Sequence, residues 1–216
     1  MARRSSIVLP LAIAASGLVA GTADARNRPS HDINSVTSIA EASPTLAPFQ
    51  HVRFCLRYPS DCKSDASASD RVEVTPEISA LLDRVNRDVN SAIAPVNKSS
   101  EPELREGWTI APAMGDCNDY AVTKRHELLQ AGMPAKALRL SVVKTASGIG
   151  HLVLVVSTTK GDIVLDNLTE TIRSWHQTEY QWLKIQSATD GRFWHEVKAS
   201  TLAQSRSDRK IRLADR

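Results

Sequence analysis

One cysteine, Cys117, stands in the run Gly115-Asp116-Cys117-Asn118-Asp119-Tyr120, between two carboxylates and where helical patterning begins. Two effects compete there. Neighbouring anions oppose the thiolate that a nucleophile or metal ligand needs, whereas the free N–H groups and positive dipole end of a helix N-terminus favour it. A cysteine at the first helical position also projects where a carbonyl can approach, so its type and place suit nucleophilic attack if a base is at hand. The aspartates have a plainer use as well. Asp116 as N-cap and Asp119 three residues on approximate a reciprocal capping box.

The base must come from six histidines. His126 follows Cys117 by nine residues, about 900° around a helix, and so points away from it. His31 falls in a segment without periodicity, and His51, His176 and His195 sit in loop-like or unassigned contexts that read as surface. His151 differs, because it opens the apolar run His151-Leu152-Val153-Leu154-Val155-Val156 directly after the flexible Ala146-Ser147-Gly148-Ile149-Gly150. If that run and residues 162–166 form a hairpin with an even-numbered loop near Thr159-Lys160-Gly161, residues whose numbers sum to an odd value share a face. His151 and Asp166 then become near neighbours, with Asp166 able to orient the imidazole. Residue types alone leave a second reading open, in which a buried thiol, a strand-edge histidine and a turn aspartate never meet.

The elements that must position these groups are legible in outline. Thr75 can cap and Pro76 start a helix on which Ile78, Leu81, Leu82, Val85, Val89 and Ile93 recur at helical spacing, closed by Pro95. A second helix is predicted from Cys117 to about Ala131, ended by Gly132 and Pro134. Strand-like runs follow at 137–143, 151–157 and 162–166, the last two as an antiparallel hairpin, and Tyr180, Trp182 and Trp194 mark a further strand or two. The order of helices then strands, without internal repeats, predicts an α+β fold with the cysteine-bearing helix packed on an antiparallel sheet.

The ends of the chain set the compartment. Arg3 and Arg4 before an apolar stretch at 7–20, then Ala23-Asp24-Ala25, read as a secretory signal peptide cleaved near Ala25. Residues 26–48 read as a flexible leader, 49–198 as one domain and 199–216 as a basic polar tail. No later segment is apolar enough to span a membrane. A formal net charge of +3 is too slight for a nucleic-acid footprint. Of three cysteines, Cys55 and Cys62 flank a Pro-Ser-Asp turn and can close a small disulfide loop in an oxidising compartment; free thiols are the alternative. Cys117 is then the odd thiol, whose retention in an exported protein suggests use.

The segments Trp108-Thr109-Ile110-Ala111-Pro112-Ala113-Met114-Gly115-Asp116-Cys117-Asn118-Asp119-Tyr120-Ala121, Gly150-His151-Leu152-Val153-Leu154-Val155-Val156 and Gly161-Asp162-Ile163-Val164-Leu165-Asp166-Asn167-Leu168 closely resemble the bacterial transglutaminase-like cysteine proteinase family. The similarity runs from about Phe49 to the Trp182 region. It implies a papain-like, transglutaminase-like fold and a periplasmic cysteine endopeptidase acting on a protein substrate, with Cys117 as nucleophile, His151 as base and Asp166 as the residue orienting it. The N–H of Cys117 is a candidate oxyanion donor, with Trp108 a candidate second group. The LapG-type branch of the family processes a surface adhesin in biofilm release, answers to an inner-membrane regulatory protein and binds calcium beside its nucleophile. Asp116, Asn118 and Asp119 are the corresponding candidate ligands here, although Asn118 stands where that branch has Glu and brings one charge fewer. The chemistry itself requires no cofactor. Acyl transfer to an amine, or a non-catalytic binding or scaffold domain of the same fold, are the competing functional readings.

Overall fold

The computed structural model describes residues 38–97 and 107–198. The signal peptide, most of the leader and the tail expected from the sequence lie outside the described residues. Three α-helices, α1 (Phe49–Arg57), α2 (Pro76–Ala92) and α3 (Cys117–Gln130), accompany β1 (Glu41–Thr45), β2 (Ala94–Pro95), β3 (Met114–Gly115), β4 (Leu138–Lys144), β5 (Gly150–Thr158), β6 (Gly161–Leu165), β7 (Arg173–Ser174), β8 (Gln181–Gln186) and β9 (Trp194–Val197). Seven strands form one sheet in the order β1-β9-β8-β4-β5-β6-β7, and every pairing in it is antiparallel. β2 and β3 make a separate parallel pair just ahead of α3.

The central strand β5 is apolar without interruption because both its faces are covered. Leu152, Leu154 and Val156 join Leu82, Val85, Val122 and Leu128 in the core between sheet and helices. Val153 and Val155 join Val143, Val164, Trp175 and Ile185 on the other face. Each such side chain contributes about 1.5–3 kcal/mol by leaving water, so β5 anchors whatever is attached to its ends. The turn after β5 is a two-residue connection, Thr159-Lys160, between the paired Thr158 and Gly161. Gly161 there has φ of +113°, a conformation that glycine adopts without steric cost.

Local chemistry explains the two predicted helices. Thr75 Oγ1 accepts the Ile78 N–H at 3.3 Å and Pro76 occupies the first turn of α2. Behind α3, Gly132 takes φ of +85° and Pro134 prevents continuation. Two features depart from the sequence reading. The leader expected to extend to Pro48 is ordered sooner, since Glu41–Thr45 pairs with Trp194–Val197 as an edge strand and Glu41 Oε1 meets Arg139 Nη2 at 2.6 Å. His51, read as a surface residue, is buried on α1, a helix the sequence reading did not contain.

Candidate active site

Gly115, Asp116 and Asp119 build the start of α3. The Asp116 carboxylate accepts the Asn118 N–H at 3.0 Å and the Asn118 amide Nδ2 at 3.0 Å. Asp119 answers by accepting the Asp116 N–H at 2.9 Å on Oδ2 and the Thr109 N–H at 2.9 Å on Oδ1. The capping box anticipated from residue types is present, and Asp119 also ties the incoming 108–111 segment to the helix. Position 115 must be glycine for this to work. A Cβ there would lie 2.7 Å from Asp119 Oδ2 and 2.8 Å from its Cβ.

This arrangement holds Cys117, the free cysteine among the described residues, partly exposed at the first helical position. The N–H groups of Asn118, Asp119 and Tyr120 are all taken by Asp116. The Cys117 N–H, one of the donors that a helix cannot satisfy internally, is therefore positioned for an oxygen arriving beside the sulfur.

His151 and Asp166 come from the ends of the central hairpin. The register Leu154↔Leu165 puts residues whose numbers sum to an odd value on one face, and His151 Nε2 meets Asp166 Oδ1 at 2.8 Å with both side chains buried. Nε2 is thus committed to Asp166, which leaves Nδ1 as the ring nitrogen available to Cys117, a group near enough to raise the proton affinity of the same ring. Burial by itself would lower the imidazole's pKa. The hydrogen bonds and negative charge supplied by Asp166 and Cys117 outweigh it and raise the group from 6.5 to about 9. Asp166 shows the converse balance: burial opposes its ionisation, but His151, the Tyr180 hydroxyl and the Leu168 N–H together hold it below its ordinary value.

Tyr180 was visible in the sequence only as an aromatic covering the core. It donates its hydroxyl to Asp166 Oδ2 and sets its ring edge-on to His151, with centroids 5.6 Å apart. Burial and the hydrogen bond to Asp166 push its own ionisation upward, so it remains a donor. The Leu168 N–H reaches Asp166 Oδ1 at 3.0 Å, and Asn90 Nδ2 of α2 holds the Asp166 carbonyl at 3.0 Å. No local motif announces these contacts, because Tyr180 and Asn90 reach Asp166 only through the fold.

Other sequence candidates fall elsewhere. Trp108, considered for the oxyanion, is buried against His51 and Phe54 at ring distances of 5.7 and 6.3 Å. His126 pairs with Asp61 at 2.9 Å, away from Cys117 as its helical angle required. Cys55 and Cys62 form a disulfide beside His51. A cavity of about 260 Å³ lined by Arg53, Phe54, Arg57, Gly107 and Trp108 has no member of the Cys117 cluster in its wall.

The three side chains read as calcium ligands also build the helix start. Each Asp119 oxygen accepts one backbone N–H and Asp116 Oδ1 accepts from Asn118; the second lone pair of each Asp119 oxygen, Asp116 Oδ2 and Asn118 Oδ1 are the donors that would hold a cation, which takes about six to eight oxygens in all.

Among solved structures, calcium-bound Legionella pneumophila LapG is similar at 20% identity, covering 66% of this chain and 82% of that one with a TM-score of 0.47. The EGTA-treated form of the same protein gives 18% identity, 59% and 70% coverage and a TM-score of 0.45. A third structure of Legionella pneumophila LapG gives 19%, 63%, 76% and 0.46. No curated protein sequence matches. The family described as bacterial transglutaminase-like cysteine proteinase BTLCP matches residues 41–202, three quarters of the chain. The antiparallel sheet, the helix that begins at its cysteine and this match lead to one conclusion: the chain belongs to the bacterial transglutaminase-like cysteine proteinase family and is a cysteine peptidase.

Proposed function

We propose that the protein is an exported, periplasmic endopeptidase that hydrolyses a peptide bond in a protein substrate at the cell surface, with Cys117, His151 and Asp166 as its catalytic groups. The observation that carries this reading is the buried His151–Asp166 pair, 2.8 Å apart, whose imidazole also responds to Cys117 at the start of α3. Export is supported by the signal-like residues 1–25 and by the Cys55–Cys62 disulfide, a bond that persists in oxidising compartments.

In the reaction, Cys117 gives its proton to His151 Nδ1 and its sulfur attacks the peptide carbonyl carbon, forming a tetrahedral oxyanion beside the Cys117 N–H. Collapse of that intermediate breaks the C–N bond, and the imidazolium returns the proton to the leaving amine. The acyl group stays on sulfur as a thioester. Water then attacks it, losing a proton to His151; the thioester breaks and the thiolate recovers the proton as the carboxylic acid departs. Asp166 keeps Nε2–H pointed away from the sulfur and stabilises the imidazolium throughout, while Tyr180 fixes the second Asp166 oxygen. No step is routed through calcium.

The experiment is mass-spectrometric mapping of thiol alkylation in the purified mature protein, followed by incubation with a protein substrate. Selective labelling of Cys117 that slows in His151→Ala, and cleavage abolished in a folded Cys117→Ala variant, are the expected results. Full cleavage by Cys117→Ala would overturn the proposal. Loss of labelling on chelation would return calcium to the site, and incorporation of a primary amine into products would convert hydrolysis to acyl transfer.

A further inference from the structure

Seven residues beyond Cys117 on α3 lies Lys124, two helical turns on and close to the same face. It is fully buried, and its Nζ has no hydrogen-bond partner in this conformation. A lysine in that position is expensive unless something uses its charge or its donors.

The packing of α2 against α3 identifies its neighbours. Tyr120, one turn before Lys124, donates its hydroxyl to the Ile93 carbonyl just past the end of α2. Glu127, one turn after it, feels the charges of Asp88 and Arg84 further back along α2. The helices therefore run antiparallel, and the level between those contacts is that of Asn86 and Asn90. Both asparagines face inward with buried Oδ1 atoms that lack a hydrogen-bond partner. Their Nδ2 groups grip the chain that follows β6: Asn86 donates to the carbonyls of Thr169 and Glu170 at 3.3 and 3.0 Å, and Asn90 to those of Asp166 and Thr169 at 3.0 and 3.4 Å. A buried ammonium on α3 and two buried amide oxygens on α2 thus lie at one level of the helix pair, and the asparagines among them hold the segment bearing Asp166.

We propose that Lys124 is a positioning residue for the catalytic dyad: from the α2–α3 interface at the level of Asn86 and Asn90, it acts on Asp166, and through Asp166 on the orientation and proton affinity of His151. The idea rests on the catalytic reading of Cys117, His151 and Asp166. Its electrostatics are balanced, since burial lowers the Lys124 pKa from 10.5 to about 7 while the Asp166 charge works against that fall. Asp166, just past the end of β6, is the charged group that acts on it, whereas α2 offers the neutral asparagines at its level. On α3 itself, Asp119 is engaged with Thr109 and Asp116, and Arg125 with the carbonyls of Leu138 and Asp61.

The test uses the full mature chain, because alkylation of Cys117 by iodoacetamide needs no substrate. In Lys124→Met the fold should survive, since replacing a buried unpartnered cation by an apolar isostere is often neutral or stabilising. The Cys117 alkylation rate should fall about 10-fold, and an inflection near neutral pH in the wild-type profile should vanish. A wild-type rate and profile in folded Lys124→Met would overturn the proposal and leave Lys124 a packing residue. Should that variant not fold, the wild-type protein with ¹³C-labelled lysine decides: the Lys124 Cε titration should move when Cys117 is alkylated, and an unmoved titration rejects the coupling. Slow labelling of wild-type Cys117 that ignores His151→Ala would instead overturn the catalytic reading beneath it.

Discussion

Two buried histidines in this molecule carry the same ring to opposite ends of its range. His151 is 7% exposed and its pKa is raised to about 9, whereas His51 is 1% exposed and its pKa is lowered to about 4. Burial opposes the charged form in both, so burial does not decide the difference. Partners do. His151 faces a carboxylate and a thiol, both of which favour imidazolium. His51 meets the Trp194 indole N–H on Nδ1 at 3.2 Å, a disulfide sulfur 3.5 Å from Nε2 and the positive field of Arg125. Its neutral ring serves as a hydrogen-bonding spacer joining α1, β9 and the disulfide, while His151 is the ring that changes charge in the proposed reaction.

That contrast can be broken most forcefully at the rings themselves. His151→Ala should reduce the Cys117 alkylation rate by about 10³-fold or more at neutral pH. His51→Ala should leave that rate within about 3-fold in the folded protein while lowering the denaturant midpoint, consistent with a loss of about 2–4 kcal/mol of packing. If His51→Ala silenced Cys117 as deeply without unfolding the domain, the division of labour would be wrong. Next in size, Asp166→Asn removes the charge that favours the imidazolium and lets an amide N–H face Nε2, which should cost about 10²-fold in alkylation rate. NMR titration should find the His151 pKa moved down from about 9 toward its ordinary value. Tyr180→Phe deletes a hydrogen bond to a charged group, worth about 1.5–3 kcal/mol. Peptidase assays should show a loss of about 10-fold that falls on kcat more than on KM.

The smallest effects sharpen the comparison through pH. Because the folded state refuses a proton on His51 that the unfolded chain accepts, this ring's contribution is complete above about 6.5 and is lost as pH falls toward about 4. His151 has the opposite sign: the folded state retains a proton that the unfolded chain releases, so its contribution is complete below about 6.5 and is lost as pH rises through about 9. Urea unfolding across pH should therefore flatten on the acid side in His51→Phe and on the alkaline side in His151→Phe. Slopes unchanged in both variants would dissolve the distinction.

The cysteine side of the site was legible because its chemistry is local. Asp116, Cys117 and Asp119 lie within one helical turn, and capping follows from residue type and spacing. His151 and Asp166 were within reach of sequence reasoning because a two-residue turn fixes parity along both strands. Tyr180 and Lys124 were not. Their roles depend on what the fold brings beside them, and a lysine in an otherwise helical run reads as solvent-facing until α2 is laid against it. Helix α1 escaped for a different reason. Its apolar Phe49, Val52 and Leu56 recur at helical spacing yet point to solvent, and its inward face is His51 and Phe54, so no apolar stripe led from pattern to core. Strand β1, Glu-Ala-Ser-Pro-Thr, has no alternation to read and owes its conformation to β9.

The spatial order of the sheet also governs when the enzyme comes into being. The first described strand closes on the last, and the groups around the thiol arrive at positions 117, 151, 166 and 180. On the proposed catalytic reading, a chain delivered N-terminus first presents Cys117 before its base, and the base before the residues that orient and clamp it. Until the β5–β6 hairpin closes, His151 lacks the carboxylate that orients it, and until the segment leading into β8 docks, Asp166 lacks the hydroxyl that steadies it. On that reading, reactivity is among the last properties the molecule acquires, and the order of arrival shields the nascent chain from its own chemistry.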